Sequence, residues 1–203
     1  MNLKAATLAL GALLLASCAQ KDASGYIAEG DKALAAGKNE QAVRLYEQGL
    51  GMDPGLKRGY NPLGTAYLRL GNYDQAIKYL LYAAQDNPSD YDSLAKAASA
   101  YMRKNETAEA ITYFGKAIAL KQDIPELYAA RGTCLMKLQK PQEAAADFEK
   151  LTALSPDRAE GWDLLSQSYA AAGEAKKARE ACARAAKQDG TPACQTFAGG
   201  GTQ

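Results

Sequence analysis

The side chains with chemistry to offer are few. Cys18, Cys134, Cys182 and Cys194 are the only thiols, and the chain has no histidine. It therefore lacks the commonest general base, the commonest metal ligand and the usual activator of a serine or cysteine nucleophile. No glycine-rich phosphate loop and no grouping of ligand residues at metal spacing is present in the sequence. The expectation is a protein that is not an enzyme and uses no cofactor or metal. Charge is balanced, 24 Lys+Arg against 23 Asp+Glu, which leaves no electrostatic footprint for nucleic acid or an anionic membrane surface.

Cys18 stands apart from the other thiols. Lys4 supplies a positive start, Ala5 to Leu15 is an uncharged and almost wholly apolar run, and the small pair Ala16-Ser17 directly precedes the cysteine. That order reads as a secretory signal peptide, and the run is far below the ~20 apolar residues of a spanning helix. Leu15-Ala16-Ser17-Cys18 resembles the bacterial lipobox, in which the cysteine thiol receives a diacylglycerol and becomes the new N-terminus. The resemblance implies cleavage after residue 17 and a membrane held through acyl chains on Cys18. Ala19 is not the aspartate associated with inner-membrane retention, so the implied location is the periplasmic side of a Gram-negative outer membrane, or the cell membrane if sorting differs. Removing Lys4 with the signal would leave 23 charges of each sign.

What must position the remaining side chains is a repeat. Ala42, Ala76, Ala110, Ala144 and Ala178 follow one another at 34-residue steps without slip. Twelve residues before each sit Gly30, Gly64, Ala98, Gly132 and Ser166, all small; four after sit Tyr46, Leu80, Phe114, Phe148 and Cys182. The spacing predicts two helices per unit, with small residues at places 8 and 20 letting the backbones approach and large residues at places 4, 11 and 24 filling the space around them. The units are 23–56, 57–90, 91–124, 125–158 and 159–192. Residues 18–22 form a lipidated tether and 193–203 a tail. Gly37, Gly71, Asn105 and Gly173 fall where the first helix ends, types that tolerate the left-handed conformation. Gln139 departs from this pattern. Asn61-Pro62 reads as an N-cap followed by proline at the first helical position, so the helix there is expected to start late, near Asn61, or to kink.

This pattern resembles the tetratricopeptide repeat (TPR), most closely in "YNPLGTAYLRLGNYDQAIKYLLYAAQDNP" at 60–88. The implied fold is all-α, a right-handed TPR superhelix of five helix-turn-helix repeats. In that family groove residues stand at places 2, 5, 9, 12 and 13. Carried onto this chain, place 13 gives the cations Arg69, Arg103 and Lys137, and place 12 the apolar Leu68, Met102 and Met136. Arg58, Asn61 and Thr65 mark a polar end of the same groove. An apolar strip beside a basic one suits an extended peptide, although the apolar residues could equally pack between repeats. The acids at place 2, Asp92, Glu126 and Glu160, are expected to cap helices, paired with Ser89, Asp123 and Asp157 three residues earlier. Trp162, the only tryptophan, is expected in the core.

The resemblance implies a binding module: a lipid-anchored periplasmic scaffold whose partner is a protein or peptide segment of another envelope protein. Similar lipoproteins serve as pilotins for type IV pilus secretins or as adaptors for murein hydrolases. Self-assembly through stacked terminal repeats is the competing reading, and the sequence leaves the oligomeric state open. A Cys182–Cys194 disulfide would seal the last repeat, leaving Cys134 a reduced packing residue.

Overall fold

The computed structural model describes residues 21–189. Among them are ten α-helices and no strand. Five pairs are formed by α1 (Ala23–Ala35) with α2 (Asn39–Met52), α3 (Tyr60–Arg69) with α4 (Tyr73–Asp86), α5 (Tyr91–Arg103) with α6 (Thr107–Leu120), α7 (Pro125–Lys137) with α8 (Pro141–Leu154), and α9 (Ala159–Ala171) with α10 (Ala175–Asp189). The chain divides into two compact units between Gly59 and Tyr60. The first contains α1, α2 and a short 3-10 turn at Lys57–Gly59; the second contains α3 to α10.

Each pair is closed by one device. At place 15 the chain turns through the left-handed region, at Gly37, Gly71, Asn105, Gln139 and Gly173, with φ between 57° and 79°. The next amide then donates back to the carbonyl of place 11, as in Lys140 to Leu135 and Glu174 to Tyr169. This satisfies carbonyls that a helix end leaves orphaned. Gln139 thus adopts the glycine conformation with an ordinary side chain. Pro54, Pro88 and Pro156 each lie two residues beyond a second helix, where Pro cannot continue it.

Packing within pairs follows the small-on-large rule. A Cβ on Gly132 would stand 2.6 Å from the Phe148 ring, and one on Gly30 2.6 Å from the Tyr46 ring. Where place 8 is larger, its neighbour shrinks or is accommodated: Ser166 accompanies Cys182, and Ala98 accompanies Phe114, all buried. In the second unit a continuous core runs from Ala98 through Phe114, Leu135 and Phe148 to Tyr169 and Ala181.

The helix carrying Pro62 does start late. α3 has 10 residues where the other first helices have 13. Pro62 falls in its first turn, where a missing N–H costs nothing. Asn61 is not its cap but lies inside the helix, with its side chain turned to α5.

Candidate functional site

The helix starts differ from the capping expectation by one residue. α5, α7 and α9 begin at place 1, so their caps are Asp90, Ile124 and Arg158, not Ser89, Asp123 and Asp157. In α5 the box is Asp90 with Ser93: the Ser93 amide donates to Asp90 at 3.0 Å and its hydroxyl to the second oxygen at 2.5 Å. The acids at place 2 are consequently one position too early to reach back to a cap. They bind cations instead. Asp92 pairs with Lys96 at 2.6 Å, and Arg158 reaches Glu126 at 3.1 Å and Glu160 at 3.5 Å.

Asn61 and Thr65 are drawn into the fold. The Asn61 amide donates to Ser93 Oγ at 2.6 Å and to Asp92 at 3.0 Å, while its carbonyl oxygen accepts from Lys96 at 3.1 Å. Thr65 donates to the Asn61 backbone carbonyl at 2.9 Å. Ser93 is fully buried. This is a satisfied polar bridge between α3 and α5, which sets how the two helices lie rather than offering groups to a ligand. Its signal in the sequence is an Asn at place 5 followed one repeat later by Asp-Ser and a lysine.

The basic strip behaves differently. Arg69 on α3 and Arg103 on α5 are both exposed and line one cleft of about 530 Å³ with Leu68, Leu70, Gly71, Tyr73 and Ser99. Lys137, one repeat further, is exposed and donates to the Asn105 side chain. Leu68, Met102 and Met136 are half-buried; the two methionines pack on the main core and Leu68 on a smaller cluster around Leu80. They serve the contact between repeats and present only their outer edges. Arg58 belongs to the first unit, where it donates to the Ser24 hydroxyl at 2.9 Å and the Ser24 carbonyl at 3.3 Å. It therefore has a partner of its own.

A second cleft was not foreseen. About 590 Å³ opens between α8, α9 and α10, lined by Trp162, Leu165, Tyr169, Ala181 and Arg184 among others. Trp162 packs against the main core as expected but is only half-buried, forming a wall of this cleft, its indole N–H donating to the Pro156 carbonyl at 2.8 Å. Burial and a hydrogen bond to the Glu149 carboxylate push the Tyr169 phenol well above its ordinary range. The signal was a blank: Ala181 stands at place 23, where repeats two and three carry tyrosine.

Cys134 is a free thiol, 1 % exposed, and burial raises its pKa. A buried, protonated thiol is a packing residue, not a nucleophile. Cys182 is buried in α10 and is disulfide-bonded. Cys18 and Cys194 lie outside the described residues, as does the tail expected to close the last repeat. Among the described residues no group of three or more His, Cys, Asp or Glu could hold a metal ion, and no helix is long and apolar enough to cross a membrane.

Comparison with known proteins accounts for the repeated helix pairs and their closing turns. Models described as "Tetratricopeptide repeat" match residues 61–125 and 129–192, and a second such model matches 33–81. The chain belongs to the tetratricopeptide repeat family. Tetratricopeptide repeats are scaffolds for protein–protein contact. Similar curated proteins are RNA polymerase II-associated protein 3 of Mus musculus, 30% identical over 59% of this chain and 18% of its own length, and Superkiller complex protein 3 of Mus musculus, 30% identical over 66% of this chain and 9% of its own. The chain thus spans less than a fifth of either relative. Among solved structures, MamA matches with a TM-score of 0.77 at 22% identity, covering 83% of this chain and 92% of that one. YrrB, described as "a TPR protein with an unusual peptide-binding site", matches with a TM-score of 0.75 at 20% identity, covering 87% and 90%. At such identity the likeness is one of fold.

Proposed function

We propose that this TPR protein is a lipid-anchored periplasmic scaffold that binds a segment of another envelope protein and so helps assemble or localise an envelope machine. The observation that carries the binding half is the cleft at α3 and α5, where Arg69 and Arg103 flank the outer edge of Leu68. Two exposed cations over an apolar strip suit an acidic or C-terminal peptide with apolar anchors. YrrB lends support, since a TPR array of the same fold has a peptide-binding site. The anchor rests on Leu15-Ala16-Ser17-Cys18, which lies outside the described residues.

Each half has its own test. Reversing Arg69→Glu and Arg103→Glu together replaces attraction with repulsion. It should abolish most partner capture by crosslinking from membranes, while helicity and melting temperature stay near those of the parent. Lys78→Glu with Lys116→Glu is the matched control on second helices. Those lysines lie over the Tyr79 and Tyr113 rings at 5.2 and 4.6 Å, contacts contributing about 0.5–1 kcal/mol each at exposed sites. If the control loses capture and the groove variant keeps it, the binding face is on the second helices. For the anchor, Cys18→Ser should end lipid labelling and release the protein from membranes; continued outer-membrane fractionation would sink that half.

A further inference from the structure

Repeats two and five differ by two rings, one of them central. In repeat two the Tyr79 ring is stacked on Tyr67, with centroids 5.8 Å apart and planes 3° apart, and on Tyr60 at 6.3 Å and 20°. Tyr82 meets Tyr60 and Tyr79 edge-on at 5.8 and 6.2 Å. Repeat three keeps the central pair as Tyr101 on Tyr113, at 5.2 Å and 9°. Three repeats beyond Tyr60, Tyr67, Tyr79 and Tyr82 stand Trp162, Tyr169, Ala181 and Arg184. The two rings that stack on Tyr79 are retained as Trp162 and Tyr169, the middle ring is missing at Ala181, and the edge-on ring is replaced by Arg184. The cleft of about 590 Å³ opens at these same residues, floored by Leu165 and Ala181. Lys177 lies over the Tyr169 ring at 5.0 Å and Arg184 over the Trp162 ring at 4.7 Å. Both are exposed, flexible side chains at the rim, able to move out over an incoming ring.

We propose that this vacancy takes the phenyl ring of Phe197, from the chain's own C-terminal segment. The chain has three phenylalanines. Phe114 and Phe148 are core residues, and Phe197 is the one aromatic residue in the segments 1–20 and 190–203. Reach is ample. Phe197 is eight residues beyond Asp189, a stretch that spans up to ~27 Å when extended. Returning from Asp189 to Ala181 along α10 takes about 12 Å. The attachment makes the encounter intramolecular, with an effective concentration of order millimolar for a short linker. A Cys182–Cys194 bond would bring Phe197 closer still, since Cys182 adjoins Ala181 and Cys194 is three residues from Phe197. The ring completes the aromatic stack that repeat two builds from its own helices, and closes the last helix pair.

Trp162 lines the cleft and is the only tryptophan, so its fluorescence reports the site in the full chain without labels. Phe197→Ala should shift the emission to the red and raise quenching by acrylamide. Adding Ala181→Tyr, which supplies the missing ring from α10, should return both readings toward wild type. N-acetylphenylalanine amide should perturb Trp162 in Phe197→Ala and leave wild type unchanged. Three results would overturn the proposal: no change on Phe197→Ala; an equal response of wild type to the free amide, meaning a cleft open to an aromatic from another protein; or a wild-type signal that falls to that of Phe197→Ala on dilution, meaning a ring supplied by a second copy.

Discussion

Repeats two and four put the same backbone around different chemistry. At places 7, 11 and 23 repeat two has Leu63, Tyr67 and Tyr79, a fully buried leucine beside stacked rings. Repeat four has Arg131, Leu135 and Asp147. There the Arg131 guanidinium grips Asp147 through two hydrogen bonds, 2.8 and 2.6 Å, and that hydrogen bonding raises the arginine pKa. The Asp147 side chain is 5% exposed and that of Arg131 27%. Either an aromatic stack or a bidentate ion pair can therefore fill the space between paired helices. The difference is how each fails. A stack loses contact area when trimmed, whereas a broken ion pair leaves a charge without a partner in a dry place.

The largest expected effect follows from that. Arg131→Leu leaves the Asp147 carboxylate buried and unpaired, and should cost about 3–5 kcal/mol. Arg131→Leu with Asp147→Val removes both charges at little change in volume and should return to within about 1.5 kcal/mol of the parent, since replacing a buried ion pair by apolar residues of similar volume is often neutral. Denaturant midpoints of the two variants decide the matter. A double variant no more stable than the single one would mean that places 7 and 23 are not coupled as the comparison holds.

The periodic columns of the repeat were readable because helix packing imposes them. A small residue at place 8 faces a large one at place 24 in the first four pairs, and both types recur at fixed steps. Cap register was not readable. Ser89 and Asp90, or Asp157 and Arg158, are adjacent, and only the first helical dihedral decides which of each pair caps. Asn61 was misassigned for the same reason, since a polar residue before proline suits a cap and an inter-helix bridge alike. The basic strip was legible as residue types, yet not which of its members share a cleft. As for the cleft beside Trp162, it exists because a side chain is missing, and no motif marks an alanine.

A middle-sized effect separates the two repeats at place 8. A Cβ on Gly64 would meet Leu80 Cγ at 2.7 Å, but also the Leu80 nitrogen at 3.0 Å and the Ala76 carbonyl oxygen at 3.1 Å. Backbone cannot step aside. On Gly132 the nearest three atoms all belong to the Phe148 ring. Each Gly→Ala change should cost about 1–3 kcal/mol of overpacking, less about 0.5–1 kcal/mol returned by helix propensity. Rescue distinguishes them. Phe148→Leu, which copies repeat two, should recover much of the loss in Gly132→Ala. Leu80→Ala should recover nothing in Gly64→Ala, because the backbone contacts persist and a cavity is added. Equal rescue in both repeats, measured by thermal unfolding, would show that helix separation, not the facing side chain, takes up the strain.

The smallest effect lies at place 15, where repeat two has Gly71 and repeat four Gln139, with φ of 76° and 57°. Left-handed backbone costs a residue with a Cβ roughly 1–2 kcal/mol, while glycine loses about 0.5–1 kcal/mol through its freedom in the unfolded chain. Gln139→Gly should therefore stabilise by about 0.5 kcal/mol, the difference between those two magnitudes. Gly71→Gln should destabilise by a similar amount. Space is not the obstacle there, since a Cβ on Gly71 would meet only the Tyr73 hydroxyl oxygen, at 3.9 Å. Both changes keep the closing hydrogen bonds, Lys140 to Leu135 and Asn72 to Tyr67, each 3.0 Å, so the proposed groove strip two and three residues upstream should be untouched. Paired melting curves with opposite shifts would confirm that conformation alone separates the two turns. A lowered melting temperature for Gln139→Gly would mean that the exposed glutamine side chain contributes more to repeat four than its backbone strain costs.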